Sequence, residues 1–398
     1  MIQTSCGMSL RADSMEAANE ALGSALTESI DPAGGLAIVF ATSHHARRMA
    51  EVIAHIRRRT LVRTLFGGTG AGVIGPAGEV EQKPALAVLL AASDRLTCGA
   101  ALLPRLEPDE AVALLKQELP SLHRERGVLV MLLEPKSLNP MFLPKLAAVF
   151  PETPVVGAAA AWCTGDTEAL LFVDGESSTT GLAALHLAGC VDAAIGVSQV
   201  VTPETTPREI TEAFENVIAR VESEPAADVI GDFVQSHQQE TKESFEIFCA
   251  LADSAEDFDQ GRYVVRNILG VEPDTKRVSV GDFVRPGQFI SFGVRSAKSA
   301  RRNFRRMLER LNSTLTARVP RAALLFNCCA RGQSLYGRPN VDLDALREFY
   351  PDLPLIGMFG FAEIGPIAWA GRRVRSTILN HTSAVLVLSE PLEALGTT

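Results

Sequence analysis

Positive charge is scarce in this chain. Lysine and arginine number 38 against 47 aspartates and glutamates, a net charge of −9 over 398 residues. A phosphate backbone needs a positive face, so the balance weighs against a general nucleic-acid binder. The basic clusters at Arg57-Arg58-Arg59, Arg301 to Arg306 and Arg372-Arg373 read as solvated helix faces or turns. Long apolar runs are missing too. Ala85 to Ala92 falls far short of the roughly 20 residues that span a bilayer, so no membrane insertion is expected. Met1 to Cys6 lacks the charged and apolar regions of a signal peptide, and the cytoplasm is the expected compartment. Seven cysteines, an odd number with no CxxC spacing, do not resemble a disulfide framework or a zinc site. His44-His45 and His381 form no metal motif. No H-E-x-x-H, G-x-S-x-G, P-loop or EF-hand pattern occurs, and no metal or cofactor is expected.

What the chain does have is a repeat. Apolar runs of strand length occupy Gly35 to Phe40, Val128 to Leu133 and Ala322 to Phe326. Each is followed, about 24 to 31 residues on, by an apolar step into a glycine: Gly67, Gly157 and Gly357. That interval holds one loop, one helix and a return strand. One α/β unit is therefore used three times, and the loops leaving the glycines are where such a scaffold can build a site.

Helices are predicted over Asp13 to Leu26, Arg47 to Arg58, Pro108 to Leu119 and Asn139 to Phe150. A further helix is predicted over Pro207 to Val221, with Thr206 as its cap. The polar stretch Glu222 to Glu240 marks a domain boundary. Beyond it, Tyr263–Leu269, Val278–Val280 and Gln288–Val294 read as an antiparallel meander, and Ala297–Leu311 as a long polar helix. The expected fold is mixed α/β. It has two layered domains, residues 1–235 and 236–398, whose sheets are covered by helices. A purely parallel doubly wound sheet is not expected, because the meander inserts antiparallel strands.

Three places invite chemistry. Gly70 to Gly75 spells G-x-G-x-x-G, but Pro76, Ala77 and Gly78 cannot continue a dinucleotide-binding helix. The stretch reads instead as a glycine loop whose backbone N–H groups approach a ligand or another loop. Cys328-Cys329 end a strand shortly before Arg331. They read either as a nucleophile or as small buried residues; an apolar setting raises a thiol pKa and predicts slow alkylation. Glu363, flanked by glycines and apolar residues, needs a cationic or N–H partner. It is expected to be buried and paired with Arg331 or Arg338. In that case Glu363→Gln costs a few kcal/mol, with structural and ligand-binding roles both open.

The segments Leu324 to Gly332, Tyr336-Gly337-Arg338, Pro354 to Pro366 and Asn380-His381-Thr382 resemble the C-terminal half of FIST domains, with Ala362 where a glycine is common. The first strand, Phe66-Gly67-Gly68 with its glycine loop, and Glu79 resemble the N-terminal half over roughly Gly34 to Val221. The resemblance implies a sensory module for small ligands such as amino acids. Residues 1–33 show no F-box and the chain has no room for a kinase or cyclase, so its output would pass through a partner protein.

Three functions stay open: a non-catalytic small-ligand sensor, an enzyme using Cys328 or the Glu363–Arg331 pair, and a protein-binding adaptor. For the first, the expected ligand-binding residues are Gly67, Gly68, Thr69, Gly70, Cys328, Arg331, Gly332, Glu363 and Asn380. Loop 67–79 would line one cavity with 327–338 or 357–366. Arg331 would fork the carboxylate of a small anionic or zwitterionic molecule.

Overall fold

One run of elements occurs three times in the computed structural model, which describes residues 1–392 except 28, 138, 164–167, 190, 242–244 and 368–374. The Arg372-Arg373 cluster lies outside the described residues. The first run is β1 (Gln3–Ser9), α1 (Ser14–Ala25), β2 (Leu36–Thr42), α2 (Met49–Thr60), β3 (Thr64–Gly70), the hairpin β4 (Gly72–Gly75) and β5 (Gly78–Glu81), and β6 (Leu86–Ala92). The second is β7 (Leu96–Leu103), α3 (Pro108–Glu118), β8 (Gly127–Leu133), α4 (Phe142–Val149), β9 (Val155–Ala159), the hairpin β10 (Leu171–Val173) and β11 (Glu176–Ser178), and β12 (Leu182–Gly189).

The third run opens with β13 (Asp192–Gln199) and is then interrupted. The insertion holds β14 (Arg208–Phe214), β15 (Val217–Val221), β16 (Glu224–Pro225), α5 (Ala226–Thr241), β17 (Ile247–Ala252), α6 (Ala255–Asp259), β18 (Val264–Glu272), β19 (Arg277–Val280) and β20 (Phe289–Val294). The run resumes with α7 (Ala297–Thr314), β21 (Arg318–Cys328), α8 (Gln333–Tyr336), α9 (Val341–Phe349), β22 (Leu355–Gly360), the hairpin β23 (Glu363–Ile367) and β24 (Arg375–Leu379), and β25 (Thr382–Pro391).

Local chemistry explains the elements. Asp13 caps α1 by accepting from the Met15 and Glu16 amides. Strands β2 and β8 and the Ala322–Phe326 stretch of β21 read as apolar runs because helices cover one face and the other sheets cover the second. Their return strands β3, β9 and β22 lie parallel to them, as the repeat predicts.

Gly67, Gly157 and Gly357 sit in these return strands, opposite Val39, Met131 and Leu325. The sequence places them at loop openings, and the structure corrects that. A Cβ on any of them would overlap the partner strand's carbonyl oxygen, so close strand approach selects glycine.

The three sheets have one plan. Their strand orders are β1-β6-β2-β3-β10-β11, β7-β12-β8-β9-β23-β24 and β13-β25-β21-β22-β4-β5. No repeat keeps its own hairpin. The first hands β4–β5 to the third sheet, the third hands β23–β24 to the second, and the second hands β10–β11 to the first. The exchange covers the edges that β3, β9 and β22 would otherwise expose. Inner faces of all three sheets share one core that includes Phe40, Phe66, Val130, Val156, Phe326 and Met358. Helices pack on the outer faces. Residue 235 falls within α5, and two of the three sheets take strands from both sides of it.

The insertion is a seven-stranded sheet, β14-β20-β17-β18-β19-β15-β16, closed by a β14–β15 pairing. Two expectations need correcting here. Pro207 to Val221 is a hairpin rather than a helix. Ile210, Ile218 and Val221 are buried, and Glu215 takes φ 51° at the turn. β20 leaves the expected meander and pairs with β17 instead. Along α7, Arg301, Arg302, Arg305 and Arg306 are exposed, as the basic cluster predicts. Among the described residues no helix is long and apolar enough to cross a membrane.

Candidate functional site

Superposing the strand registers of the three repeats shows where they differ. Val73, Leu171 and Glu363 hold one position: each faces the residue after the ladder glycine, namely Met358, Gly68 and Ala158. Val73 and Leu171 belong to the shared apolar core. Glu363 is buried just as deeply. Three residues before the partners of Val39, Met131 and Leu325, Ala85 and Gly181 correspond to Thr382. At the Glu363 position two repeats carry aliphatic residues and the third a carboxyl, while the strand residues equivalent to Cys328 are the buried Thr42 and Glu134.

The Glu363 carboxylate accepts from the Thr382 amide at 3.2 Å and the Thr382 hydroxyl at 2.6 Å, both at Oε2. Oε1 has no hydrogen-bond partner. Burial holds the group well above the usual carboxylate range, and nearby Cys328 adds to this. Thr382 and Arg331 act the other way without cancelling it. Glu363 forms no ion pair, so the expected cost of breaking one by Glu363→Gln does not apply.

Cys328 is buried with its Sγ 4.0 Å from the Phe361 carbonyl. A hydrogen bond with the Cys329 thiol and burial push the Cys328 thiol up. Cys329 is exposed, and the same bond pushes its thiol down. Phe361 and Trp162, 56% and 39% exposed, stand at neighbouring strand ends; the Phe361 amide bonds the Ala159 carbonyl at 3.0 Å.

Arg331 is not the partner of Glu363. It is wholly buried and grips Asp342 with two bonds, Nε to Oδ2 and Nη2 to Oδ1, each 2.8 Å. Nη2 also donates to the Tyr336 hydroxyl at 2.7 Å. Asn327 joins through Asp342 Oδ2 at 3.2 Å, and Ser383 donates to Asn327. Arg338 instead lies 3.9 Å from Asp344. Two facts separate the expected pair. Asp342, on α9, offers a carboxylate shaped for the guanidinium fork, while Thr382 already satisfies one oxygen of Glu363.

The remaining expected residues divide. Gly67, Gly68, Thr69 and Gly70 are buried within β3. Thr69 Oγ1 accepts from the Leu170 amide at 2.9 Å, and Gly70 packs against the Phe359 carbonyl. Gly332 takes φ 58° against the Glu81 carboxylate. Asn380 is half-buried in the β24–β25 turn; beside it, His381 Nε2 meets Asn267 at 2.9 Å. Residues 79–81 of the first hairpin meet residues 333–343. Glu81 Oε1 accepts from the Gln333 amide at 2.8 Å. Glu79 accepts from the Asn340 and Leu343 amides at 2.6 and 3.1 Å. Sequence reasoning misses Asp342, which lies on another helix with no spacing signal.

Glu79 carries a test. Burial, then the Asp342 charge, push it up to about 7. Its folded pKa exceeds its unfolded value, so stability is lost as pH rises through that interval. Glu79→Gln should flatten the fall in unfolding free energy between about pH 4.5 and 7 by something of order 1–3 kcal/mol. Urea titrations across that range would show an unchanged slope if Glu79 titrates normally.

The FIST N domain profile matches residues 35–224, and the FIST C domain profile matches residues 226–366. Uncharacterized protein Rv0628c of Mycobacterium tuberculosis (strain ATCC 25618 / H37Rv) is 26% identical over 376 residues, covering 91% of this chain and 94% of its own length. Uncharacterized protein Mb0898c of Mycobacterium bovis is 26% identical over 400 residues, covering 97% of this chain and 99% of its own. Neither name states an activity.

Proposed function

This chain belongs to the FIST family, and on that premise we propose a non-catalytic sensory protein that binds a small amino-acid-like ligand and acts through a partner. One observation carries the reading. Glu363 places a buried carboxyl with a free Oε1 at a core position that both sister repeats fill with aliphatic residues. A structural role alone would be served by valine or leucine, as Val73 and Leu171 demonstrate. An orphan acceptor in an apolar setting suits a ligand ammonium group. Entry requires local opening of the Phe361–Ala362 turn, a modest step for a two-residue bend at a strand end. Arg331 with Asp342 holds residue 331 to helix α9, next to the Cys328–Cys329 end of β21.

Calorimetric titration of an amino-acid and amine panel tests the reading. An ammonium against Glu363 would draw the carboxyl towards its ionised form. At a pH where the raised carboxyl is still protonated, binding should therefore release a proton, seen as heats that depend on buffer ionisation. Glu363→Gln should weaken binding roughly 10- to 100-fold, the scale of a hydrogen bond to a charged group at about 1.5–3 kcal/mol, and abolish the release. Equal affinity in both proteins would remove Glu363 from the site. Silence across the panel would favour the adaptor, for which exposed Phe214, Leu269 and Phe283 on the inserted sheet offer an apolar surface.

A further inference from the structure

α7 overhangs β13, the edge strand of the third sheet, and the inserted sheet stands opposite. Between them lies a cleft of about 470 Å³, within the range of small-molecule sites. Its walls are partly apolar, with Ile195, Val197, Phe258, Met307 and Leu311. Two guanidiniums also line it. Arg306 and Arg310 lie one helical turn apart, and neither forms an ion pair among the described residues. The contrast with Arg305 on the same helix is direct: that side chain lies 2.7 Å from Glu348 and 3.8 Å from Glu309. Asp259 is the one carboxylate in the lining, so positive charge is in excess.

A second observation points into the same cleft. Ser198 lines it, is almost fully buried, and its hydroxyl has no hydrogen-bond partner. A buried hydroxyl left alone in a native fold calls for an explanation, and a ligand supplies one. The neighbouring Asn303 amide is already engaged, with the Gln199 carbonyl at 3.1 Å and the Thr202 hydroxyl at 3.0 Å. It holds the helix against the strand and keeps the cleft walls fixed.

We propose that this cleft binds an organic anion with an apolar body, its carboxylate or phosphate head held by Arg306 and Arg310 with the Ser198 hydroxyl as a further donor. The apolar lining takes the body of the molecule. The charge preference is opposite to that of the Glu363 corner, so the two sites take different ligands. They lie back to back: Arg331 Nη1, behind that corner, reaches the Ser198 carbonyl at 3.5 Å.

The full chain would be titrated with 1-anilinonaphthalene-8-sulfonate, an aromatic anion whose fluorescence rises on burial. Saturable binding is expected, and Arg306→Ala/Arg310→Ala should weaken it at least tenfold. Both side chains are exposed on a helix, so the unfolding midpoint should hold. Arg306→Gln/Arg310→Gln replaces the alanine pair if it does not. Dodecanoate or dodecyl phosphate should displace the probe, and the stronger of the two identifies the head group. Dodecylammonium should not displace it. An unchanged dissociation constant in the double variant, equal displacement by the cation, or no saturable binding would each overturn the proposal.

Discussion

Asp342→Ala should lower folding stability by about 3–5 kcal/mol, the usual cost of stranding one member of a buried ion pair. The loss would not come from a surface contact. Arg331 is the largest fully buried side chain among the described residues, and both of its bonds to Asp342 run through atoms that water cannot reach. Removing Asp342 also leaves the Tyr336 hydroxyl without its acceptor and Asn327 without one partner. Arg331→Lys should fail similarly, because an ammonium cannot fork a carboxylate. Replacing both members with apolar residues, as in Arg331→Met/Asp342→Leu, should recover most of the loss, since no charge then remains buried. Guanidinium unfolding of the three variants measures this. A loss below about 1 kcal/mol for Asp342→Ala would mean that water reaches the guanidinium after all.

The second large effect concerns the ladder glycines. Gly67→Ala, Gly157→Ala and Gly357→Ala should each prevent soluble folding or cost more than about 4 kcal/mol, an exceptional figure for removing nothing and adding one methyl. The new Cβ would overlap the carbonyl oxygens of Val39, Met131 and Leu325, which belong to backbone in the middle of three sheets and cannot yield. Gly23→Ala is the matched control. It lies in α1 with open space around it, and alanine there should stabilise by about 0.5–1 kcal/mol. Soluble yield and unfolding midpoint would be compared across the four. Tolerance at one ladder glycine and not the others would break the equivalence of the three repeats.

Much of this architecture is legible in the sequence, and the particular residues explain where legibility stops. The runs around Val39, Val130 and Leu324 announce buried strands because both faces are covered, so no polar residue interrupts them. The helices carrying Val112 and Leu146 show the 3,4 spacing of a one-sided apolar stripe. Pro207 to Val221 misleads for a physical reason: Ile210, Ala213, Val217, Ile218 and Val221 recur at helical spacing, and the irregular register of the hairpin hides the alternation of a strand. The Glu215–Asn216 turn decides between them. Burial of Glu363 follows from its neighbours, but its partner does not. The Thr382 hydroxyl wins over a guanidinium because Asp342 has already taken Arg331. The exchange of hairpins leaves no local trace, since Ile74 meets Gly357 only in three dimensions.

That exchange also sets a timetable for synthesis. β3 is complete at residue 70, yet the hairpin that seals its edge ends at residue 178. β9 is complete at residue 159 and waits for a hairpin ending at residue 379. At roughly 5–20 residues per second on the ribosome, the first edge stays bare for about 5–20 s and the second for about 10–40 s. A nascent chain therefore carries β9 with one edge bare for some 220 residues of synthesis, with the β4–β5 hairpin likewise without its strand. The last repeat to emerge closes both gaps, so no earlier length of the polypeptide has a finished second or third sheet.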